Sequence, residues 1–231
     1  MSDRPKSMSA SAFWIAAWER AMQTDLRVSD DTEEEKFWEE YAPMYDESNP
    51  LAPYTEALMD AVYSHLAPDD HLLEVGPGTG GFTQLLAPKV GKITLVEPSA
   101  SMYKAFYASW QKTGYLLPAV LAEKWEDVEG IHADVLFCAN AVYRIRDMRA
   151  ALLKMNQITK RHVFLIQSIG RPFAGPLTLS WNDQLYERER AIAISEILDE
   201  LAIQHSYRTF PVERKNGMTH EVALIHWKPR S

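Results

Sequence analysis

The stretch "HLLEVGPGTGGFTQLL", residues 71–86, decides the fold of this chain. An apolar run that carries one carboxylate, Glu74, leads into four glycines, after which apolar residues return at helical spacing. Glycines between a strand and a helix let the backbone turn tightly and approach a ligand closely. The loop "GPGTGG" satisfies both the G-x-G-x-G spacing and the G-x-G-x-x-G dinucleotide fingerprint, so it predicts a nucleotide site without deciding which nucleotide.

The next apolar stretch narrows the choice of nucleotide. "KITLVE", residues 92–97, has the pattern of a buried strand that ends in Glu97. A carboxylate at the carboxyl tip of such a strand is placed to accept hydrogen bonds from the two hydroxyls of a ribose. The glycine loop and Glu97 together predict a ligand that contains adenosine.

Around this motif, helical patterns alternate with short apolar strands. Such alternation is typical of a parallel sheet covered on both faces, so the predicted fold is an α/β, Rossmann-like three-layer sandwich. Helices are predicted near 53–66, 81–86, 101–112, 148–155 and 183–202, and strands near 71–75, 92–97, 118–122, 133–140 and 162–168.

The end of the chain predicts one reversed strand. "HSYRTFPV" (205–212) and "THEVALIHW" (219–227) resemble strands and are separated only by the short, turn-like "ERKNGM". A short loop forces antiparallel pairing, because a parallel return needs a crossover of about a dozen residues or more. The prediction is a mostly parallel, seven-stranded sheet with one reversed strand near the C-terminus.

The first part of the chain differs from this alternation. Residues 1–52 are predicted to form a helical accessory segment, a lid, ahead of a domain at 53–231. A helix at about 11–23 follows from apolar residues that recur at helical spacing, namely Trp14, Ala17, Trp18 and Met22.

A second lid helix is predicted in "TEEEKFWEEYA", residues 32–42. Thr32 and Glu35 form a capping-box pattern at its start, and Pro43 should end it because proline clashes with the preceding turn. Four glutamates of this region are interpreted as a solvated face: Glu33, Glu34, Glu39 and Glu40.

At the glycine loop and the Glu97 strand, the chain resembles the class I S-adenosylmethionine-dependent methyltransferases. "EVGPGTG" (74–80) is similar to the first motif of that family and "LVEPSASM" (95–102) to the second. The resemblance runs from about Pro53 to the C-terminus. It implies S-adenosylmethionine as the cofactor and agrees with a seven-stranded sheet that carries one reversed strand.

The resemblance also implies roles for individual residues. Glu97 would bind the ribose and Glu74 would orient the site. The glycine loop would lie beside the methionine part of the cofactor, which assigns that role to Gly76, Gly78 and Gly80.

Residues farther along would border the adenine and the methyl group. Met102 stands where such enzymes often place an apolar residue against the adenine. "AEKWEDVEG" (122–130) is similar to the acidic segment after the third strand, which implies that Trp125 and Glu126 border the adenine edge. Asn140 falls in the motif that faces methyl donor and acceptor. Alternative interpretations make Trp125 a loop anchor and Asn140 a strand-ending cap.

The lid would contribute aromatic residues from "FWEEYAPMYDE", residues 37–47. Family members often close the site with an N-terminal segment. Trp38 is interpreted as packing on the core, Tyr41 as a substrate contact and Tyr45 as part of the cofactor pocket.

Acceptor contacts are expected beyond the carboxyl ends of the parallel strands, where open α/β sheets bind ligands. That edge should carry Tyr143, Arg144 and Arg171. His220, at the start of the reversed strand, is the best histidine candidate for a general base, with Tyr143 as the second catalytic candidate. An arginine that faces the pocket would favour an acidic substrate, whereas a structural histidine and a surface arginine are the simpler alternatives.

Composition limits the class of partner. The 231 residues carry a formal net charge of −8, with a pI near 5.4, which disfavours nucleic acid because such binding needs clustered Lys and Arg. No membrane partner is predicted. Cys138, the single cysteine, is interpreted as buried packing, and no residues recur with metal-ligand spacing, so no metal is predicted. The expected compartment is the cytoplasm.

The sequence after the fourth strand, "CANAVYRI" (138–145), lacks the N-P-P-Y or D-P-P-Y run of many enzymes that methylate nucleic-acid bases or protein glutamine. With the acidic charge, this indicates a small molecule as methyl acceptor. Two other functions stay open at this point. One is a nicotinamide-dependent oxidoreductase, and the other is a methyltransferase-like module that binds cofactor or a protein partner without catalysis.

Overall fold

The computed structural model describes residues 4–48, 56–170, 175–213 and 219–229. The helices are α1 (Ala10–Ala21), α2 (Asp31–Tyr41), α3 (Tyr45–Ser48), α4 (Glu56–Tyr63), α5 (Gly81–Leu86), α6 (Ala100–Trp110), α7 (Met148–Ile158) and α8 (Arg190–Glu200). The strands are β1 (His71–Val75), β2 (Lys92–Val96), β3 (Ala119–Leu121), β4 (Ala133–Ala139), β5 (Thr159–Ile169), β6 (Leu177–Trp181), β7 (Gln184–Arg188), β8 (His205–Glu213) and β9 (Thr219–Trp227).

Seven strands form the central sheet in the order β3-β2-β1-β4-β5-β9-β8. The pairs from β3 to β5 are all parallel, whereas β9 runs antiparallel to both β5 and β8. The predicted mostly parallel sheet with one reversed strand is therefore confirmed. The strand order changes direction between β1 and β4, so a ligand crevice is expected outside their carboxyl ends.

Both faces of the sheet are covered by helices. Successive side chains of a strand point to opposite sides, so each strand contributes to both faces. One face packs against α4 and α5 through residues such as Leu72, Phe137 and Phe164. The other face packs against α1, α7 and α8 through residues such as Leu73 and Leu136. This arrangement explains why the strands are nearly continuous apolar runs.

The N-terminal segment has two parts that pack against different elements. Phe13 and Trp14 of α1 are fully buried in the core beside α7 and α8. Helix α2 instead contacts α6, at the carboxyl edge of the sheet. Helices α2 and α3 are called the cover below. The predicted domain boundary between residues 52 and 53 lies outside the described residues and stays a prediction.

The long helix predicted near 183–202 is wrong in its first part. Strands β6 and β7 form a separate two-stranded hairpin there, and the helix begins only at Arg190. The hairpin turn is Asn182-Asp183, with φ of 48° and 60°. Two positive φ values are typical of the two-residue turn whose twist matches paired strands, and Asn and Asp tolerate that backbone well.

The start of α2 also differs from the prediction. Asp30, not Thr32, caps the helix, because its Oδ1 accepts hydrogen bonds from the amides of Thr32 at 2.8 Å and Glu33 at 3.1 Å. The predicted end of the helix is confirmed, since α2 stops at Tyr41 and Pro43 lies in the following 3-10 turn. Of the described helices, none combines the length and apolarity that a membrane crossing requires.

Candidate functional site

Two glycines of the loop between β1 and α5, Gly76 and Gly80, are packed too tightly to carry a side chain. Gly76 has a φ of +66° and Gly80 a φ of +89°, both in the left-handed region that glycine adopts without strain. A Cβ on Gly76 would lie 2.2 Å from Ala141 Cβ, and one on Gly80 would lie 2.7 Å from Phe106 Cδ2. The loop is thus held between the chain after β4 and helix α6.

Glu74 lies in β1 just before this loop and is 2% exposed. Its Oε2 atom is buried and has no hydrogen-bond partner. Burial raises the pKa of Glu74 to about 7, and the Thr83 hydroxyl offsets part of this effect. Buried polar atoms are normally paired, so this oxygen is available as an acceptor for a ligand that carries hydrogen-bond donors.

Glu97 directly follows β2 and is also buried. Its Oε1 accepts a hydrogen bond from the Ser99 amide at 2.9 Å. Burial raises the pKa of Glu97 to about 7, while the backbone amides of Ser99 and Gly78 lower it in part. Met102 completes this side of the loop, since a Cβ on Gly78 would lie 3.4 Å from Met102 Cε.

These residues fit a nucleoside ligand. Two buried carboxylates adjoin the glycine loop, since Glu74 precedes it in β1 and Glu97 accepts a hydrogen bond from the Gly78 amide, and Met102 supplies an apolar surface. Carboxylates accept hydrogen bonds from hydroxyl and amino groups, which an adenosine ligand with an amino-acid tail carries. The structure therefore brings together the residues that the first two motifs predicted.

Hydrogen bonds join the cover to the glycine loop and to α6. Thr79 of the glycine loop donates a hydrogen bond from Oγ1 to Asp46 Oδ1 at 2.5 Å. The Ser101 amide, near the start of α6, donates to Glu35 Oε1 at 2.9 Å. Both contacts join the cover to elements that carry the cofactor candidates.

An aromatic cluster lines the cover. Tyr45 lies edge-on to Trp38 and to Tyr41, with ring centroids 5.9 Å and 6.0 Å apart, and Phe37 lies 5.3 Å from Tyr41. Burial raises the pKa of Tyr45. Trp38 packs within the cover, and Tyr41 and Tyr45 belong to the same cluster; their predicted ligand contacts stay predictions.

Glu34 is not part of a solvated face, as the sequence suggested, but is 5% exposed. It accepts hydrogen bonds from the Tyr143 hydroxyl, from Trp38 Nε1 at 2.6 Å and from Arg27 Nε at 2.9 Å. Burial, with the adjacent Glu34 carboxylate, raises the pKa of Tyr143. Tyr143 is therefore a neutral hydrogen-bond donor, already used by the cover.

Two tryptophans of α1 hold the chain after β4 in place. Trp14 Nε1 donates to the Ile145 carbonyl at 2.8 Å, and Trp18 Nε1 donates to the Arg144 carbonyl at 2.9 Å. The Arg144 guanidinium donates to Asp31 of the cover at 2.8 Å. Arg144, predicted to contact substrate, thus forms a salt bridge with the cover.

A cleft opens beside Tyr143, on the face of the sheet that α1 covers. It is lined by Trp14, Trp18, Tyr143, Leu177 and Arg190 among others. The wall formed by β6 depends on the hairpin that the sequence did not predict.

Arg190 is the residue of this cleft that sequence reasoning missed. It begins α8, its guanidinium carbon lies 5.9 Å from the Trp14 ring centroid, and its Nε donates to the Gly175 carbonyl at 3.2 Å. Burial lowers the pKa of Arg190, with Glu189 acting in the opposite direction. The missed signal was the Asn182-Asp183 turn, which would have moved the helix start to Arg190.

Trp125 and Asn140, which were predicted to lie beside the adenine and the methyl group, make contacts within the protein instead. The Trp125 ring is buried in the core, its Nε1 donates to the Ala151 carbonyl at 3.4 Å, and Glu126 beside it is exposed. Asn140 has a φ of 55°, and its Oδ1 accepts from the Ser168 amide at 2.7 Å. These contacts favour the alternatives of a loop anchor for Trp125 and a strand-ending cap for Asn140.

The general-base candidate lies away from the cleft. His220 is buried in β9 opposite Val212 of β8. Alternation along β9 places it on the same face as Val222, which packs against α4 and α5. The cleft is on the opposite face, so the two catalytic candidates, His220 and Tyr143, are not brought together. Arg171 lies outside the described residues.

Comparison with known proteins agrees with this architecture. A family model described as a methyltransferase domain matches residues 49–209. No curated protein matches the sequence. Solved structures that resemble the chain include the Bacillus subtilis YcgJ protein, with 13% identity and a TM-score of 0.58 over 76% of this chain and 97% of that one.

Two further similar structures carry functional names. The N-methyltransferase NodS from Bradyrhizobium japonicum WM9 has 17% identity and a TM-score of 0.53, over 75% of this chain and 92% of that one. Magnesium protoporphyrin IX methyltransferase from Synechocystis PCC 6803, solved with bound S-adenosylmethionine, has 15% identity and a TM-score of 0.50, over 73% of each chain. The family match spans most of the chain, and the sheet has the predicted reversed strand; the chain belongs to the methyltransferase-domain family and is of the class I, S-adenosylmethionine-dependent type.

Proposed function

We propose that this protein binds S-adenosylmethionine at the glycine loop and transfers its methyl group to a small-molecule acceptor. The observation that carries the proposal is the orphaned, buried Oε2 of Glu74 beside a loop where Gly76 and Gly80 leave no room for side chains. Family membership argues against the nicotinamide-dependent oxidoreductase that the glycine spacing also allowed.

Each residue of the site would have a simple task in binding. When bound, S-adenosylmethionine supplies an electrophilic methyl group on a sulfonium centre. Glu97 would accept hydrogen bonds from the ribose hydroxyls, Glu74 would receive donors of the amino-acid part, and Met102 would contact the adenine. The cover would exclude water and hold the reactants close together, which is the main catalytic requirement of an in-line displacement.

The acceptor would occupy the cleft on the α1 side of the sheet. Trp18 offers a partly exposed apolar ring, and Arg190 offers a half-buried positive charge. Arginine in such a setting recognises carboxylate or phosphate groups. We therefore favour a planar acceptor that carries an anionic group. The naming of one similar structure for a porphyrin substrate is consistent with a small, flat acceptor.

Tyr143 would position the acceptor rather than take its proton. Its hydroxyl donates to Glu34, and the raised pKa keeps it protonated at neutral pH. A general base is needed only if the acceptor arrives protonated. His220 lies on the opposite face of the sheet from the cleft, so it is not placed to serve as that base.

The test measures S-adenosylhomocysteine release with a panel of planar acceptors, each offered with a carboxylate and as its neutral amide. We expect turnover of a carboxylate member, with the KM of Arg190→Met raised by about tenfold or more and its affinity for S-adenosylmethionine unchanged. Arg149→Met, which removes an exposed arginine of α7, should behave like the parent. Cofactor binding without turnover of any acceptor would instead support the non-catalytic module.

A further inference from the structure

We propose that His65, His162 and His226 form a binding site for one divalent transition-metal ion of the zinc type. A ligand nitrogen from each of the three side chains lies within 4.8 Å of the other two. The cluster lies at the edge of the sheet opposite the glycine loop, so it is a second site, separate from methyl transfer. This cluster was not predicted from the sequence, because the three residues come from distant parts of the chain.

The strand register explains how the fold gathers these rings. His226 of β9 is paired with Phe164 of β5, and paired residues of antiparallel strands point to the same face. His162 lies two residues before Phe164 and therefore shares that face. Helix α4 packs over this face and ends at Tyr63, and His65 lies in the turn that follows it. Two strands and one turn thus each contribute a single imidazole.

The three rings pack face to face with interplanar angles of 27° to 32°, so they must turn before their nitrogens can share one ion. His162 Nδ1 and His226 Nε2 form a hydrogen bond at 2.9 Å, and the ring centroid of His65 lies 4.8 Å and 4.6 Å from those of His162 and His226. Tetrahedral zinc with bonds of about 2.0 to 2.1 Å spaces its nitrogen ligands roughly 3.3 Å apart. His65 and His226 are half-buried, so water can reach the fourth position.

The chemistry of the three donors selects the class of ion. Imidazole nitrogen suits zinc, copper and nickel, whereas magnesium and calcium need oxygen ligands.

Two nearby cations oppose metal binding only weakly. Arg161 pairs with the buried carboxylate of Asp70, and Lys228 is exposed, so that solvent screens its charge. A bound ion would tie the turn after α4 to β5 and β9. Because it binds the folded chain, it would raise the melting temperature.

The test uses the full chain without an added histidine tag, stripped with a chelator and titrated with Zn²⁺ by calorimetry. We expect one ion per chain, and a rise in melting temperature of roughly 5 °C when Zn²⁺ is about a hundredfold above its dissociation constant. Mg²⁺ should give neither effect.

Variants distinguish the cluster from adventitious surface binding. His65→Ala removes a ligand from a turn, where folding is least affected, and should weaken Zn²⁺ binding by about tenfold or more. His132→Ala removes an exposed histidine outside the cluster and should change nothing. His226→Gln should repeat the His65→Ala result and replaces it if that variant does not fold.

Failure of the parent to bind one equivalent of Zn²⁺ would overturn the proposal. Equal Zn²⁺ affinities of the parent and a folded cluster variant would also overturn it. If both cluster variants unfold, Co²⁺ added to the parent decides: tetrahedral visible bands support the site, and a spectrum of hydrated Co²⁺ overturns it.

Discussion

The Tyr143 hydroxyl donates a hydrogen bond to the buried carboxylate of Glu34, which lies 109 positions earlier in the chain. This contact joins the chain after β4, which borders the cleft, to the cover, which is hydrogen-bonded to the elements that carry the cofactor candidates. Glu34 also accepts from Trp38 and Arg27, so it stays partnered when Tyr143 moves. The cover and the cleft are expected to respond to each other.

Tyr143→Phe tests this connection. Removing a hydrogen bond to a buried charged group should lower the free energy of unfolding by about 1.5 to 3 kcal/mol and reduce kcat/KM for the acceptor, while cofactor affinity stays unchanged. Denaturant unfolding and steady-state kinetics measure the two effects. Tyr186→Phe is the control, because that hydroxyl bonds only to the exposed Gln184. A Tyr143→Phe variant with parental stability would show that the contact is not made in solution.

Glu97→Ala tests the ribose contact. Loss of a charged hydrogen-bond partner should weaken S-adenosylmethionine binding by about 1 to 3 kcal/mol, measured by calorimetry. Glu123→Ala, at an exposed position after β3, should bind like the parent. Unchanged affinity in a folded Glu97→Ala variant would remove Glu97 from the site.

Glu74→Gln tests the buried carboxylate through the pH dependence of stability without cofactor. Burial raises the pKa of Glu74 from its ordinary value of 4.5 to about 7. Between these values the folded protein keeps a proton that the unfolded chain has released, so this group makes the free energy of unfolding fall as pH rises. Glutamine stays neutral at every pH.

The stability advantage of Glu74→Gln over the parent should therefore grow by about 1 to 3 kcal/mol between about pH 5 and about pH 8. Denaturant titrations at both ends of this range provide the measurement. A difference between variant and parent that stays constant with pH would mean that Glu74 is not protonated in the folded protein.

Gly76→Ala and Gly130→Ala form a matched pair. Their φ values are +66° and +67°, so both substitutions carry the same left-handed strain. Only the Gly76 methyl meets another atom, Ala141 Cβ, whereas that of Gly130 has open space around it. Gly76→Ala should be the less stable by about 1 to 3 kcal/mol and should lose cofactor affinity. Equal stabilities and affinities would show that the glycine loop is not packed as described.

Sequence reasoning succeeded where the signal was local. The strand before Glu74, the glycine loop and the strand before Glu97 follow one another within a single short stretch, and the short loop before β9 fixed an antiparallel return. The β6–β7 hairpin was missed because its alternating residues lead into a genuine helix. The Asn182-Asp183 turn was the only local sign of a break.

Long-range contacts could not be predicted in the same way. Glu34 stands among other glutamates, and nothing local reveals that it meets Tyr143. Arg190 gains its place in the cleft from the hairpin before it, and His65 gains its neighbours from the register of β5 and β9. In each case the partner is set by tertiary packing between segments that are far apart in the chain.

Calorimetric titration of the purified protein with S-adenosylmethionine, S-adenosylhomocysteine and NAD decides which nucleotide the glycine loop binds. We expect one micromolar site for each of the two sulfur nucleotides, none for NAD, and weaker binding of both sulfur nucleotides in Glu97→Ala. Binding of NAD alone, or no binding of either sulfur nucleotide by the folded protein, would contradict this expectation.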